Sequence, residues 1–174
     1  MRKLFFCLIL LSLNTFAKTL ELKDNSRSIF IIEKENWELG RDLFGMPFIY
    51  FSPMKNGQRS NISFTDTGAN LELDIQSLAK SQEEFKKGKR EWARQIGATP
   101  LSYTPYEVIT NQHGHKIHRI GFNFKHEDKI YNERSFYIEC RGKLLFSKSL
   151  RLKENILHEK DFTELLNSLD CGGV

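Results

Sequence analysis

The chain has few cysteines, few prolines and no large excess of charge of either sign. Its 174 residues include three cysteines and four prolines, and 26 lysines and arginines stand against 22 aspartates and glutamates. Such a balanced charge gives no reason to expect a nucleic-acid or membrane-surface partner. The sequence also lacks a phosphate-binding G-x-G-x-x-G or Walker loop, a G-x-S-x-G elbow and an isolated carboxylate pair, so no enzyme class is indicated.

The long apolar run that the sequence does have stands at its N-terminus, in the layout of a secretory signal peptide. Two basic residues precede the stretch Leu4–Leu13, and Thr15 and Ala17 then offer a cleavage site. The stretch is about ten residues long, whereas a helix needs ~20 to span a bilayer, so a cleaved signal is predicted and not a stable anchor. We therefore expect residues 1–17 to be removed and residues 18–174 to form one periplasmic or secreted domain.

Two cysteines remain after the predicted signal peptide, and they are candidates for a disulfide. In an oxidising compartment Cys140 and Cys171 are expected to pair. The loop between them is about 30 residues long, for which the chain-entropy model gives a stabilisation of roughly 3–4 kcal/mol. Two separate buried thiols are the alternative, because spacing in sequence does not set the distance between the Cα atoms.

The first half of the mature chain alternates short apolar stretches with turns. Residues 18–28 are polar and predict no regular structure. A hairpin is expected where the β-branched run Ile29–Ile32 is followed by alternation at Trp37–Leu39. Further along, the pattern predicts a loop over Gly40–Gly45 and strands over Met46–Phe51 and Asn61–Thr65.

One long amphipathic helix is predicted over residues 75–96. Apolar side chains recur on a narrow stripe at helical spacing, which is typical of a helix that packs on a sheet and shows water its charged face. Glutamates are interleaved with the lysines and arginines, as at Glu83 and Lys87. Because such i,i+4 pairs account for the composition, the basic face is predicted to be solvated and needs no anionic partner.

The second half predicts an antiparallel meander closed by a second helix. Short links between successive strands favour antiparallel neighbours. Asp161-x-x-Glu164 has the spacing of a helix-capping box, and Phe162 begins an apolar face after it. The fold class is therefore α+β, with an antiparallel sheet of about six strands flanked by two helices. The meander strands are expected over Tyr106–Thr110, His115–Phe124, Ile130–Cys140 and Leu144–Leu152.

Several short motifs accompany this order of elements. They are Trp37 with Met46-Pro47-Phe48 and Ser52-Pro53, and the strand Arg59–Phe64 that leads to the helix Ser81–Trp92. Over most of the mature chain this pattern resembles the PsbP-like family, including the bacterial DcrB-like envelope proteins. The resemblance implies an α/β/α sandwich, a non-enzymatic binding or assembly role, and no cofactor or catalytic set to carry over.

Aromatic side chains near the predicted loops are the candidate binding residues. Aromatic residues often anchor protein interfaces, so we expect them to contact another envelope or secreted protein. The alternative is that most of them belong to the core. The candidates are Phe44, Phe48, Tyr50, Tyr103 and Tyr106.

A histidine-rich tract offers a second interpretation, a metal site. Imidazoles bind zinc and copper well. His113 and His115 would share a face if the predicted strand began early, at His113, and His118 would then point to the opposite face. Such a site needs a further ligand, for which Glu107 or His126 is the best candidate. A polar turn explains the tract as well. A third interpretation is a small-ligand or lipid pocket between sheet and helix.

Overall fold

The structure is a computed structural model that describes residues 18–23, 28–55, 57–66 and 80–172. The predicted signal peptide, residues 1–17, lies outside the described residues, as does the beginning of the predicted long helix, residues 75–79. The described residues form two helices, α1 (Gln82–Gln95) and α2 (Ile156–Ser168). They also form strands β1 (Thr19–Lys23), β2 (Ser28–Ile32), β3 (Glu38–Leu43), β4 (Met46–Phe51), β5 (Asn61–Asp66), β6 (Thr99–Thr110), β7 (Lys116–His126), β8 (Lys129–Cys140), β9 (Lys143–Leu152) and β10 (Asp170–Cys171).

Seven of these strands form one antiparallel sheet in the order β3-β4-β5-β9-β8-β7-β6. The predicted meander is present as β6 to β9, joined by short turns. Strand β5 pairs with β9, so that Asn61 lies opposite Leu150 and the two halves of the chain meet in the middle of the sheet. The prediction of about six strands is therefore roughly right for this sheet.

A second, three-stranded sheet of order β1-β2-β10 was not predicted. The sequence of residues 18–28 is mostly polar. Leu22 is nevertheless fully buried opposite Ile29, and its neighbours Glu21 and Lys23 are exposed. This alternation is the mark of a strand with one buried face. The prediction of no regular structure is therefore wrong for residues 19–23, which pair with β2, whereas residues 24–27 lie outside the described residues.

The predicted hairpin between Ile29–Ile32 and Trp37–Leu39 is also wrong. Strand β3 pairs with β4, with Leu39 opposite Tyr50, whereas β2 pairs with β1 and β10. Most of the predicted loop Gly40–Gly45 is part of β3. Gly40 is needed there, because a Cβ would come within 2.5 Å of Leu43 Cδ1 and 3.1 Å of the Phe51 ring.

The two helices pack on opposite faces of the large sheet. Ala93 of α1 packs with Phe122 and Phe124 of β7. On the other face, Phe162 of α2 belongs to a core cluster with Ile117 of β7 and with the small sheet. Side chains alternate across a strand, so Ile117 and Phe122 point in opposite directions. The three-layer α/β/α arrangement implied by the resemblance is therefore present.

The helix α1 is fastened to the sheet by a buried carboxylate. Glu133 of β8 is 2% exposed and forms ion pairs with Lys89 of α1 and, at 3.1 Å, with Lys148 of β9. The Lys89 ammonium also lies 5.3 Å from the centre of the Trp92 ring. Lys89 is thus not one of the solvated charges that the sequence predicted, because its ammonium neutralises a carboxylate that would be costly to bury alone.

The helix α2 begins five residues earlier than predicted, at Ile156. Asp161 lies inside the helix and forms an ion pair with Lys34, with 2.9 Å between Nζ and Oδ1. The capping-box interpretation of Asp161-x-x-Glu164 is therefore wrong, because these carboxylates bind a lysine from the segment after β2. Glu164 pairs with the same lysine.

The predicted disulfide between Cys140 and Cys171 is present. It joins the end of β8 in the large sheet to β10 in the small sheet, and the Cα atoms lie 5.6 Å apart. Both residues are buried in the core cluster beneath α2. In the part of the chain that the structure describes, no helix is both long and apolar enough to cross a membrane.

Candidate functional site

Two of the five candidate aromatic residues are part of the core. Phe48 is 4% exposed and Tyr50 is 2% exposed. The Tyr50 hydroxyl accepts a hydrogen bond from the Lys34 backbone N–H at 2.8 Å. The prediction that Phe48 and Tyr50 are surface binding residues is therefore wrong, because both lie on the face of β4 that α2 and the small sheet cover.

Two further candidates, Tyr103 and Tyr106, are half-buried and already have partners within the domain. The Tyr103 ring stacks on Phe122 at 5.3 Å between centroids. The Tyr106 hydroxyl lies 2.6 Å from His118 Nδ1. Both rings help to hold β6 against β7, and their part in binding another protein stays a prediction.

Phe44 is the one candidate whose side chain stands in water. It is 89% exposed at the tip of the β3–β4 hairpin. The turn is Phe44-Gly45, with φ of 54° and 73°. A two-residue turn with both φ values positive favours Asn-Gly, because a bulky side chain fits the left-handed region poorly. A large aromatic ring is therefore held outward on a backbone conformation that disfavours it.

The three histidines of the predicted metal site do not converge. His113 is exposed beside Gln112, and His115 Nε2 lies 3.2 Å from Asp170 Oδ1. His118 is fully buried on the other face of β7. Of the proposed further ligands, Glu107 pairs with Arg119, and His126 lies at the far end of β7 opposite Lys129. Within the described ranges no three His, Cys, Asp or Glu side chains are placed to hold a metal ion, and the three histidines are not brought together.

His118 is instead the centre of a hydrogen-bonded row across three strands. Its Nδ1 lies 2.6 Å from the Tyr106 hydroxyl, and its Nε2 lies 2.6 Å from Glu139 Oε1. Both ring nitrogens therefore have a polar partner within hydrogen-bonding distance. Burial raises the pKa of the Tyr106 hydroxyl, and the Glu139 charge acts in the same direction. The hydroxyl therefore keeps its proton, and its contact with His118 ties β6 to β7.

An open cleft of about 200 Å³ lies on the opposite face, between α2 and the sheet. Its floor comes from β6 to β9 and its wall from α2. Three arginines line it, and they come from three adjacent strands: Arg119 from β7, Arg134 from β8 and Arg151 from β9. Sequence reasoning missed this site.

Arg134 lies at the centre of the three, between two small neighbours. Gly121 of β7 and Ser149 of β9 are paired with it on either side. Arg119 and Arg151 lie diagonally from it on the same face of the sheet. A Cβ at Gly121 would come within 2.6 Å of Arg134 Nη1 and 2.7 Å of its Cδ. The side chain of Arg134 therefore occupies the space that a larger residue at position 121 would take.

Two of the three arginines are paired with carboxylates. The Arg151 guanidinium is 7% exposed and lies 2.5 Å from Glu159 Oε2 of α2. Arg119 Nε lies 2.7 Å from Glu107 Oε1, so these two side chains form an ion pair. The Arg119 guanidinium lowers the pKa of the Glu107 carboxyl, so this residue remains charged.

Arg134 has no carboxylate partner in the part of the chain that the structure describes. Its Nη1 donates to the Glu133 carbonyl at 2.9 Å and reaches Asn123 Oδ1 at 3.4 Å. Burial lowers the pKa of the Arg134 guanidinium. The charges of Glu159 and Glu107 oppose this effect, and the positive charges of Arg151 and Arg119 add to it. Nearby positive charge and partial desolvation thus make a negative partner favourable at this position.

The chain has the PsbP-like fold. The solution structure of the cyanobacterial PsbP protein CyanoP from Synechocystis sp. PCC 6803 superposes with a TM-score of 0.60 at 10% sequence identity, over 90% of this chain and 94% of that one. LpqN of Mycobacterium tuberculosis, involved in cell envelope biogenesis, superposes with a TM-score of 0.57 at 10% identity, over 90% and 91%. At such identity the likeness shows the fold alone. No protein-family model matches the chain, and no curated protein matches its sequence.

Proposed function

We propose that this chain is an exported, non-enzymatic domain that binds another protein of the cell envelope through the tip of its β3–β4 hairpin. The observation that carries the proposal is Phe44, which is 89% exposed at a φ of 54°. The left-handed conformation costs a residue with a Cβ roughly 1–2 kcal/mol. The ring makes no compensating burial in the isolated domain.

A partner with an apolar pocket would compensate for that cost. Burying a phenylalanine side chain stabilises by about 1.5–3 kcal/mol. Aromatic anchors that fill a pocket on the partner are typical of protein interfaces. The hairpin is also accessible, because β3 is an edge strand of the large sheet and Leu43 beside Phe44 is 39% exposed.

Export is supported by the sequence and by the disulfide. The layout of residues 1–17 is that of a cleaved signal peptide. The Cys140–Cys171 bond is typical of proteins outside the cytoplasm. N-terminal sequencing of the protein from its native envelope tests this part, since the mature chain is expected to begin at Lys18. An N-terminus at Met1 would contradict it.

The non-enzymatic role is supported by how the reactive side chains are used. The imidazole of His118 lies between Tyr106 and Glu139 with no exposure to solvent. Burial and the Glu139 charge raise the pKa of the Tyr106 hydroxyl in this row, so the hydroxyl keeps its proton. LpqN, which shares the fold, is involved in cell envelope biogenesis, and this is consistent with a binding role in the envelope.

Site-specific cross-linking tests the proposed contact. A photoreactive phenylalanine analogue at position 44 is expected to form a specific cross-link to one envelope protein, with and without EDTA. The same analogue at Leu157, a 67% exposed side chain at the start of α2, is the matched control and is expected to give no such product.

A substitution separates binding from folding. Phe44→Asn removes the ring but suits the left-handed turn, so the variant is expected to fold and to lose the partner in pull-downs. Leu157→Asn removes an apolar side chain elsewhere and is expected to retain the partner. Equal recovery of the partner by the wild type and Phe44→Asn would show that the hairpin is not the contact.

A further inference from the structure

The cleft between α2 and the sheet contains one more positive charge than its own carboxylates balance. Arg151 is neutralised by Glu159, and Arg119 is paired with Glu107. Arg134, between them, has no carboxylate among the described residues.

The other acidic residue of the lining does not change this balance. Glu164 is bound by Lys34, which also holds Asp161, and Lys160 lies 3.9 Å from Glu164 on the helix surface. At this rim of the cleft, the positive charges of two lysines therefore balance the negative charges of two carboxylates. They are Lys34 and Lys160, and Asp161 and Glu164. The positive charge left over is that of Arg134.

Arg134 is held in place while part of its guanidinium stays free. The Glu133 carbonyl and Asn123 engage Nη1, and the pairing with Gly121 gives the side chain room to lie across the sheet. Its Nε and Nη2 have no protein acceptor in the described part of the chain. A guanidinium with two free N–H groups matches the two oxygens of a carboxylate.

The cleft also offers an apolar surface next to this charge. Ile117 and Phe136 form its floor, and Phe162 and Leu166 of α2 form its wall. All four are buried members of the main core cluster, so this end of the cleft is built from core side chains. Small-molecule sites typically combine such an apolar lining with a few fixed polar groups.

We propose that this cleft binds a small carboxylic acid with an apolar body, with the carboxylate on Arg134 and the body against Phe136 and Phe162. One unbalanced positive charge fits a carboxylate better than a phosphate ester, which carries close to two negative charges at neutral pH. The site lies away from the β3–β4 hairpin and does not depend on the function proposed for Phe44.

An NMR titration of the mature, oxidised protein tests the ligand class. Hexanoate is expected to shift amide signals of the cleft in a saturable way, centred on Arg134, Ser149 and Phe162. Hexanamide has the same body without the charge and is expected to bind about tenfold more weakly or less well still. Hexyl phosphate is expected to bind more weakly than hexanoate.

The same titration on variants tests the anchor. Arg134→Met keeps the length of the side chain but removes the charge, and is expected to weaken hexanoate binding about tenfold or more while hexanamide binding changes little. Arg94→Met removes an arginine from the outer helix α1 and is the control, with unchanged binding. If Arg134→Met fails to fold, the comparison of hexanoate with hexanamide on the wild-type protein still tests whether the cleft recognises the carboxylate charge.

Three results would overturn the proposal. The first is equal binding of hexanoate and hexanamide, which would show that no charge is recognised. The second is binding of hexanoate that Arg134→Met leaves unchanged, or shifts centred outside the cleft. The third is tighter binding of hexyl phosphate than of hexanoate, which would assign the site to phosphate esters.

Discussion

Ser60 Oγ and His158 Nδ1 lie 2.7 Å apart where the beginning of β5 meets the first turn of α2. Ser60 is fully buried and His158 is 8% exposed. Burial lowers the pKa of the His158 imidazole below its ordinary value of 6.5. Asp161 opposes this effect, and the charges of Lys55 and Arg151 add to it. The folded protein thus holds this imidazole in its neutral form.

The stability of the protein is therefore expected to fall on acidification. Because the folded-state pKa of His158 is lower than the unfolded-state value near 6.5, the unfolded state takes up the proton first as pH falls through that value. The contribution of neutral His158 to the free energy of unfolding is fully present above the unfolded-state pKa. This contribution is lost as the pH falls towards the folded-state pKa. Urea unfolding of the wild type and His158→Gln at a series of pH values measures the effect.

Two histidine variants show how much of the pH dependence of stability comes from His158. His158→Gln is expected to show a smaller decrease in the free energy of unfolding between about pH 7 and pH 5. His113→Gln, at an exposed position, is expected to keep the wild-type pH dependence. The same dependence in the wild type and His158→Gln would assign the acid sensitivity to other groups.

Gly121→Ala is expected to destabilise the domain. The new Cβ would meet Arg134 and the Thr104 hydroxyl at 2.6–2.7 Å, so side chains or strands must shift. Overpacking of this kind costs about 1–3 kcal/mol, measurable by urea unfolding. Gly88→Ala in α1 is the matched control, because a Cβ there meets nothing within 4 Å and the helix gains about 1 kcal/mol. Equal stability of Gly121→Ala and the wild type would contradict the close fit.

Loss of the disulfide is expected to reduce stability by roughly 3–4 kcal/mol, since the bond closes a loop with a sequence separation of 31 residues. The variant that carries both Cys140→Ala and Cys171→Ala measures this in urea. A reducing agent should bring the wild type close to the double variant and leave the variant unchanged. A variant as stable as the oxidised wild type would show that the bond contributes little beyond the packing around it.

Phe44→Asn is expected to raise the free energy of unfolding by about 0.5–1 kcal/mol, because asparagine tolerates the left-handed conformation that the turn requires. No core contact is lost, since the ring is 89% exposed. Met54→Asn removes another exposed apolar side chain without a positive φ and is expected to be neutral. Thermal unfolding of the three proteins makes the comparison, and a destabilised Phe44→Asn would show that the ring packs within the domain.

Much of the sheet was predictable because its strands alternate. Strand β4 has the predicted bounds, and β7, β8 and β9 lie within about two residues of theirs. The partner of β3 was not predictable, because Trp37–Leu39 alternates equally well beside either neighbour and only tertiary packing selects β4. The beginning of α2 was missed because Ile156 and Leu157 are exposed and obscure the apolar face of the first turn.

The arginine cleft was missed because its residues are far apart in sequence and meet only through strand register. A signal did exist, since Arg134 lies two residues before Phe136 in the strand predicted over Ile130–Cys140 and therefore shares a face with Phe136, Ile138 and Cys140. A charged residue on an inward face is uncommon and indicates either a buried pair or a binding site. Phe48 and Tyr50 show the opposite error, since residue type alone did not separate core from surface.

The pairing of β5 with β9 determines when the large sheet can be completed. Asn61 and Leu150 are neighbours in the sheet although about half of the chain lies between them. The β3–β5 hairpins therefore have no central neighbour until nearly the whole chain is present, and such long-range pairing slows folding. When the chain is synthesised or exported from its N-terminus, the large sheet stays incomplete. One edge of β5 then remains unpaired until β9 is present.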